Sequence, residues 1–227
     1  MRKLSKVIFD MDGLIFDTER LFMREQQKIV KEYGYELTEE MYITMLGLTD
    51  EALSEVLIKH FGKGYPEREV TSRVRARLGE IAETEGLPVK PGIKELLEFL
   101  NGEGIECVVG SSTHTKYIRK YLKTAGLDGY FSSIIGGETV KRSKPAPDIF
   151  LKALGDTPKE EALVLEDSEN GIKAAFAAGI PVICIPDMVK HSPEVLSMTV
   201  GEADDAYKVI DIIRRERSSC RKHGDIK

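Results

Sequence analysis

Two carboxylates, Asp10 and Asp12, follow directly on the apolar run Val7-Ile8-Phe9, and Gly13 comes next. The run reads as a buried parallel strand, and the acids fall where such a strand leaves its sheet. Side chains at i and i+2 of an extended segment share a side, so the spacing predicts that both carboxylates face one small volume. Like charges held that close repel, and burial raises the cost unless a cation lies beside them. The pair therefore asks for a metal ion. A calcium loop of the EF-hand type is excluded, because its fifth and twelfth positions counted from Asp10 are Leu14 and Leu21, which offer no oxygen ligands.

The same rule applied to later apolar runs adds further groups. Ile105 to Gly110 ends at Ser111 and Ser112, and Ala162 to Leu165 ends at Glu166 and Asp167. In a parallel sheet these strand ends lie on one edge. Lys144 stands between two of the strands, just before Pro145. Carboxylates, one ammonium and hydroxyl donors on one edge suit a divalent cation with a phosphate; nothing resembles a Ser-His-Asp arrangement. His60, His114, His191 and His223 show no metal-ligand spacing, but His114 follows the Ser111 loop closely enough to meet a substrate.

The elements that must position these groups fall into two textures. Residues 18–87 carry only helical signals: Thr18 as an N-cap, Phe22, Ile29, Val30 and Tyr33 at helical spacing, a helix after Thr38 broken at Gly47, another capped by Thr49, and one opened by Pro66 with Val70, Val74, Leu78 and Ile81 in a stripe. From Pro91 onward, helix and strand alternate through strands at 105–110, 133–136, 162–167 and 182–185, and Thr157-Pro158-Lys159-Glu160 has the form of a helix start. That alternation implies a parallel sheet covered on both faces, an α/β core of residues 1–17 and 88–216 interrupted by a helical insertion at 18–87. Residues 217–227 read as a solvated polar tail after a helix over 206–216.

Composition bounds the partners. A hydrophobic share of 41% and a charged share of 31% are ordinary for a globular domain. The net charge of −5 and the lack of a basic stripe argue against nucleic acid. No apolar run approaches the ~20 residues of a membrane span. Cys107 and Cys184 fall in predicted strands and Cys220 in the tail, without a C-x-x-C pair, which suits a reducing cytoplasm. The low aromatic content, without Trp, predicts a monomer.

The order Asp10-x-Asp12-Gly13, Ser111, Lys144-Pro145, Glu166-Asp167-Ser168 resembles the four motifs of the haloacid dehalogenase superfamily. Asp17-Thr18-Glu19, the helical insertion, and Lys144-Pro145-Ala146-Pro147-Asp148-Ile149-Phe150 are similar to its β-phosphoglucomutase-like branch. The resemblance implies a Rossmann-like doubly wound sheet with a helical cap, and a phosphatase of small phosphorylated metabolites. It implies Mg²⁺ held by Asp10, Asp167 and the Asp12 backbone carbonyl, with Glu166 behind them or acting through water. Asp10 would be the nucleophile, Asp12 the acid and base, and Ser111, Ser112, Lys144, Thr18 and His114 the phosphate- or substrate-binding groups.

A true dehalogenase needs neither a second Asp nor a Mg²⁺ cluster, so Asp12 points to phosphoryl chemistry. The mutases of the branch place a His four residues after the Thr of the D-T pair and an Arg three residues after the central glycine of the cap. Here those positions hold Phe22 and Asp50, and an acid repels a second phosphate. Water is the expected acceptor, with phosphohexomutase activity and a non-catalytic phosphometabolite-binding protein as the alternatives. Arg73 and Arg77 in the cap read as solvated helix-face arginines, with reach toward a substrate as the alternative.

Overall fold

The computed structural model describes residues 4–46, 48 and 50–224. The chain divides into two compact units, Met1–Asp17 with Val89–Lys227, and Thr18–Pro88.

The first unit is built on β1 (Lys6–Phe9), whose four residues are all buried. After the second unit's helices α1 (Thr18–Glu32), α2 (Glu39–Ile43), α3 (Asp50–Phe61) and α4 (Glu67–Thr84), the chain returns through α5 (Ile93–Gly102) to β2 (Glu106–Gly110). There follow α6 (Thr115–Thr124), β3 (Ser133–Ile135), α7 (Asp148–Leu154), β4 (Ala162–Glu166), α8 (Glu169–Ala178), β5 (Val182–Cys184), α9 (Pro193–Leu196), β6 (Gly201–Glu202) and α10 (Ala206–Gly224). The six strands form one sheet in the order β3-β2-β1-β4-β5-β6, every pair parallel.

Strand periodicity sorts the core. Ile8, Val108, Val164, Val182 and Cys184 join one cluster with Ile149, Phe150 and Ala153 of α7 and Ile172 and Ala175 of α8. Their buried neighbours in sequence, among them Val7, Phe9, Val109, Leu163 and Leu165, take the opposite face as a two-residue repeat requires. On that face Phe9 meets Phe131 edge to face at 5.6 Å. Helices α5 and α10 pack on one another, and their inward rows Leu96, Leu97, Leu100 and Val209, Ile213 are buried. In the second unit α1 packs on α4, with Met23, Ile29 and Val30 buried on one helix and Val70, Val74 and Ile81 on the other. Tyr35, Phe61 and Tyr65 form an aromatic triangle there, with centroids 4.6–5.5 Å apart.

Some boundaries differ from the sequence expectation. Thr18 is the first residue of α1, not the cap before it. The Thr157–Glu160 signature yields only a 3₁₀ turn at Lys159–Glu161, because β4 begins at once and leaves no room for a helix. The last helix continues to Gly224, so residues 217–224 are helical and not an irregular tail; the Arg- and Lys-rich run contains no Pro or Gly before that point to stop it. Helix α9 and strand β6 went unrecognised, each being too short to show a period. Thr38 caps α2 as expected, accepting from the Met41 amide. Gly47, Thr49 and the side chain of Asp50 lie outside the described residues.

Ile8 is fully buried at the centre of the sheet and touches the α7–α8 side of the core. Ile8→Ala is expected to cost about 2–5 kcal/mol of stability, read as a lowered urea midpoint. A midpoint equal to that of the parent protein would contradict this placement of the core.

Candidate active site

The register explains how remote residues meet. Phe9 pairs with Val109 on one side and Leu165 on the other, so Asp10 emerges beside Gly110 and Glu166 at the carboxyl edge. Strand order reverses direction at β1, the kind of crevice in which open α/β sheets bind ligands.

Asp10, Glu166 and Asp167 each offer a carboxylate oxygen, and these lie within 4.8 Å of one another. The Lys144 ammonium donates to Asp10 Oδ1 and, at 2.6 Å, to Glu166 Oε1. It also sits 4.6 Å from the centroid of the Phe150 ring, a favourable place for a cation. The other oxygen of Glu166 accepts from the Asp167 and Ser168 amides at 2.9 and 2.8 Å and from the Ser168 hydroxyl at 2.9 Å. Glu166 is thus fully engaged and fully buried. Asp167 differs, for its Oδ1 is buried without a hydrogen-bond partner. Three clustered carboxylates, one ammonium and an orphaned oxygen form a donor set that fits a hard divalent cation.

Two glycines let these groups approach. A Cβ on Gly13 would lie 2.1 Å from Asp167 Oδ2, and Gly13 has φ +78°, where side chains are disfavoured. A Cβ on Gly171 would lie 1.6 Å from Glu166 Oε1. Ser168 completes the turn by capping α8, accepting from the Gly171 amide.

Asp12 has a partner of its own: its carboxylate accepts at Oδ2 from the Thr113 hydroxyl at 2.7 Å, and its charge adds to the repulsion on Asp10. Beyond it the chain leaves the extended form, the Ile15 and Phe16 amides both turning back onto the Met11 carbonyl. Ser111 is fully buried, its hydroxyl accepting from the Thr113 amide at 3.1 Å. Ser112 is exposed at the same loop. His114 caps α6 by accepting from the Lys116 amide, and its ring lies 3.5 Å from Glu138. Thr18 begins α1 in the second unit. There Phe22 pairs with Tyr42 at 6.3 Å, Arg73 with Glu32 at 2.6 Å, and Arg77 with Glu80 at 2.6 Å and Glu25 at 3.5 Å. Both arginines therefore have acidic partners within their own unit.

Sequence reasoning missed three groups. Thr113 extends the Ser111-Ser112 run by one residue, and reading the loop to its end would have found it. Asp187 follows β5 as Asp10 follows β1; it pairs with Lys90 at 2.6 Å and its charge bears on Asp167. His191 places Nε2 2.5 Å from the Asp167 carbonyl oxygen, and nothing in the sequence announces that contact.

Burial dominates the proton affinities here. Desolvation pushes the Asp10 carboxyl up to about 7 against the pull of Lys144, with Glu166 and Asp12 adding repulsion. Desolvation and the charges of Glu166 and Asp10 also raise Asp167 well above the usual carboxylate range. Lys144 stays cationic, since Asp10 and Glu166 more than offset its own burial.

Comparison with known proteins gives an independent view. The sequence model of the haloacid dehalogenase-like hydrolases matches residues 7–185. A phosphorylated carbohydrates phosphatase of Thermotoga maritima is 30% identical over 179 residues, covering 78% of this chain and 82% of that one. A protein described as a probable pseudouridine-5'-phosphatase of Drosophila melanogaster is 32% identical over 213 residues, covering 87% and 90%. Among solved structures, CbbY of Rhodobacter sphaeroides in complex with phosphate superposes with a TM-score of 0.67 at 25% identity, covering 91% of this chain and 96% of that one.

Asp10 binds its proton more tightly folded than unfolded, so it stabilises the metal-free fold most below its ordinary value of 3.8, and that contribution is lost as pH rises through about 7. The melting temperature of metal-free protein is expected to fall between pH 5 and pH 8, less steeply in Asp10→Asn; an identical slope in both would contradict it. In a helix Gly→Ala ordinarily stabilises by roughly 0.5–1 kcal/mol. Gly171→Ala is expected to destabilise instead, by about 1–3 kcal/mol, from overpacking against Glu166, and urea denaturation reads the sign.

Proposed function

The chain belongs to the haloacid dehalogenase-like hydrolase family, and on that premise we propose that it is a Mg²⁺-dependent phosphatase of small phosphorylated metabolites (sugar, polyol or nucleotide-like monoesters) working through an aspartyl phosphate. The observation that carries the reading is the cluster of Asp10, Glu166 and Asp167 carboxylates, the first two buried and joined by the Lys144 ammonium. Phosphatases of phosphorylated carbohydrates and, as described, of pseudouridine 5'-phosphate among the relatives support the reaction class.

Asp10 and Asp167 would hold the cation with the Asp12 backbone carbonyl, while Glu166 is committed to Lys144 and to the 167–168 amides. Bound there, the cation supplies charge that offsets the anionic phosphoryl group and carboxylates. Asp10 attacks phosphorus with one carboxylate oxygen, and the bond from phosphorus to the ester oxygen breaks. Asp12, oriented by Thr113, gives its proton to the departing alkoxide. It then takes a proton from water as that water attacks phosphorus, the Asp10–phosphorus bond breaks, and inorganic phosphate leaves. Lys144 holds the Asp10 carboxylate in place and, with Ser111 and neighbouring amides, balances charge on the phosphoryl oxygens. Phe22 and Asp50, standing where the mutases carry a His and an Arg, favour water over a second sugar as the acceptor.

An aryl phosphate assay tests the reading. Chelation should abolish turnover and added Mg²⁺ restore it; Lys144→Met should lower kcat by about 10²–10³, the scale of losing one charge-stabilising donor; Asp10→Asn should leave no measurable activity. Turnover indifferent to Mg²⁺ and to Asp10→Asn would overturn the assignment. A panel of phosphorylated metabolites ranked by kcat/KM identifies the substrate.

A further inference from the structure

The loop after β5 holds a group that the phosphatase reading does not use. His191 Nε2 lies 2.5 Å from the Asp167 carbonyl oxygen. A carbonyl can only accept, so the ring must present an N–H there, whether the imidazole is neutral or charged. The Asp167 amide is meanwhile donated to Glu166 Oε2 at 2.9 Å. Both polar groups of the Asp167 main chain are therefore tied, one by Glu166 and one by His191. The carboxylate borne on that main chain has a buried oxygen lacking a hydrogen-bond partner.

The histidine is itself held from both sides. Upstream, the Ile185 amide donates to the Glu166 carbonyl at 2.8 Å, and Asp187, almost wholly buried, pairs with Lys90 at 2.6 Å. Downstream, Ser192 caps α9, accepting from the Val195 amide. The 185–192 segment is thus a brace whose one hydrogen bond to the Asp167 carbonyl comes from His191.

Resting on the reading of Asp167 as a cation ligand, we infer that His191 is a positioning residue for the divalent cation, fixing the Asp167 main chain so that its carboxylate is aimed before the cation arrives. Groups that orient a ligand from behind are worth about 10–100-fold in metal affinity. The role is the donated hydrogen bond. A side chain that supplies an N–H at the same reach therefore preserves it, and one that fills the space without a donor does not.

Calorimetric titration of the whole protein with Mg²⁺ tests this on the wild type, His191→Leu, His191→Gln and Lys190→Ala, the last an exposed neighbour in the same loop. The expected result is Mg²⁺ affinity at least about 10-fold weaker in His191→Leu, close to wild type in His191→Gln and Lys190→Ala, with KM for the aryl phosphate at saturating Mg²⁺ unchanged in all. If His191→Leu does not fold, His191→Asn, whose amide is too short to reach the carbonyl, takes its place and should show the same loss. Wild-type affinity in His191→Leu, or equal losses in His191→Leu and His191→Gln, overturns the inference and leaves the phosphatase reading standing. No Mg²⁺ binding by the wild type removes the cation site itself, and the inference with it.

Discussion

Among the described residues one ammonium faces three clustered carboxylates at the carboxyl edge of this sheet, Asp10 and Glu166 buried and Asp167 partly so, and the remainder of the structure answers to that imbalance. Lys144 reaches Asp10 and Glu166 together, while Asp167 feels that ammonium only at a distance and keeps an oxygen without a hydrogen-bond partner. At an effective dielectric of about 20, like charges 4 Å apart repel by roughly 4 kcal/mol, so the cluster is costly in the charged state unless another cation joins it. Burial first, and this repulsion after it, raises the proton affinities of Asp10 and Asp167. The same imbalance would suit the proposed phosphoryl transfer, because a cation that relieved it would also offset the charge of an incoming phosphate and leave Asp10 able to act as a nucleophile.

The sheet makes the cluster possible without strain in any one element. Strands β1 and β4 run side by side in register, so Asp10 and Glu166 become neighbours although they are far apart in sequence. Two of the three carboxylates then depend on a glycine for their room, Asp167 on Gly13 and Glu166 on Gly171. Packing and electrostatics are inseparable here: a methyl group at either glycine would be felt as a displaced charge.

Most of the core was legible in the sequence because long-range order in a parallel sheet rests on short apolar runs, and Val7-Ile8-Phe9 and Ala162 to Leu165 could hardly be read otherwise. Their carboxyl ends followed from topology alone, which is why Asp10, Glu166 and Asp167 are found together; Lys144 joins them from the loop before α7. Thr113 shows the limit. Strand periodicity located Asp12 but not the hydroxyl that donates to its carboxylate, which lies past the end of another strand. His191 shows a second limit, since its contact is with a main-chain carbonyl and no side-chain pattern encodes it. The extension of α10 to Gly224 shows a third: a polar run reads as solvent-loving whether or not it is helical.

The central claim is that Asp10 and Asp167 share one divalent cation. Anomalous scattering from crystals grown with Mn²⁺ tests it most directly, because the metal identifies itself by its absorption edge and its ligands are read from the map. The account predicts a single strong peak in contact with the carboxylates of Asp10 and Asp167, with Lys144 still seated on Glu166. Well-ordered crystals with no peak there, or with Mn²⁺ bound only elsewhere, would contradict it.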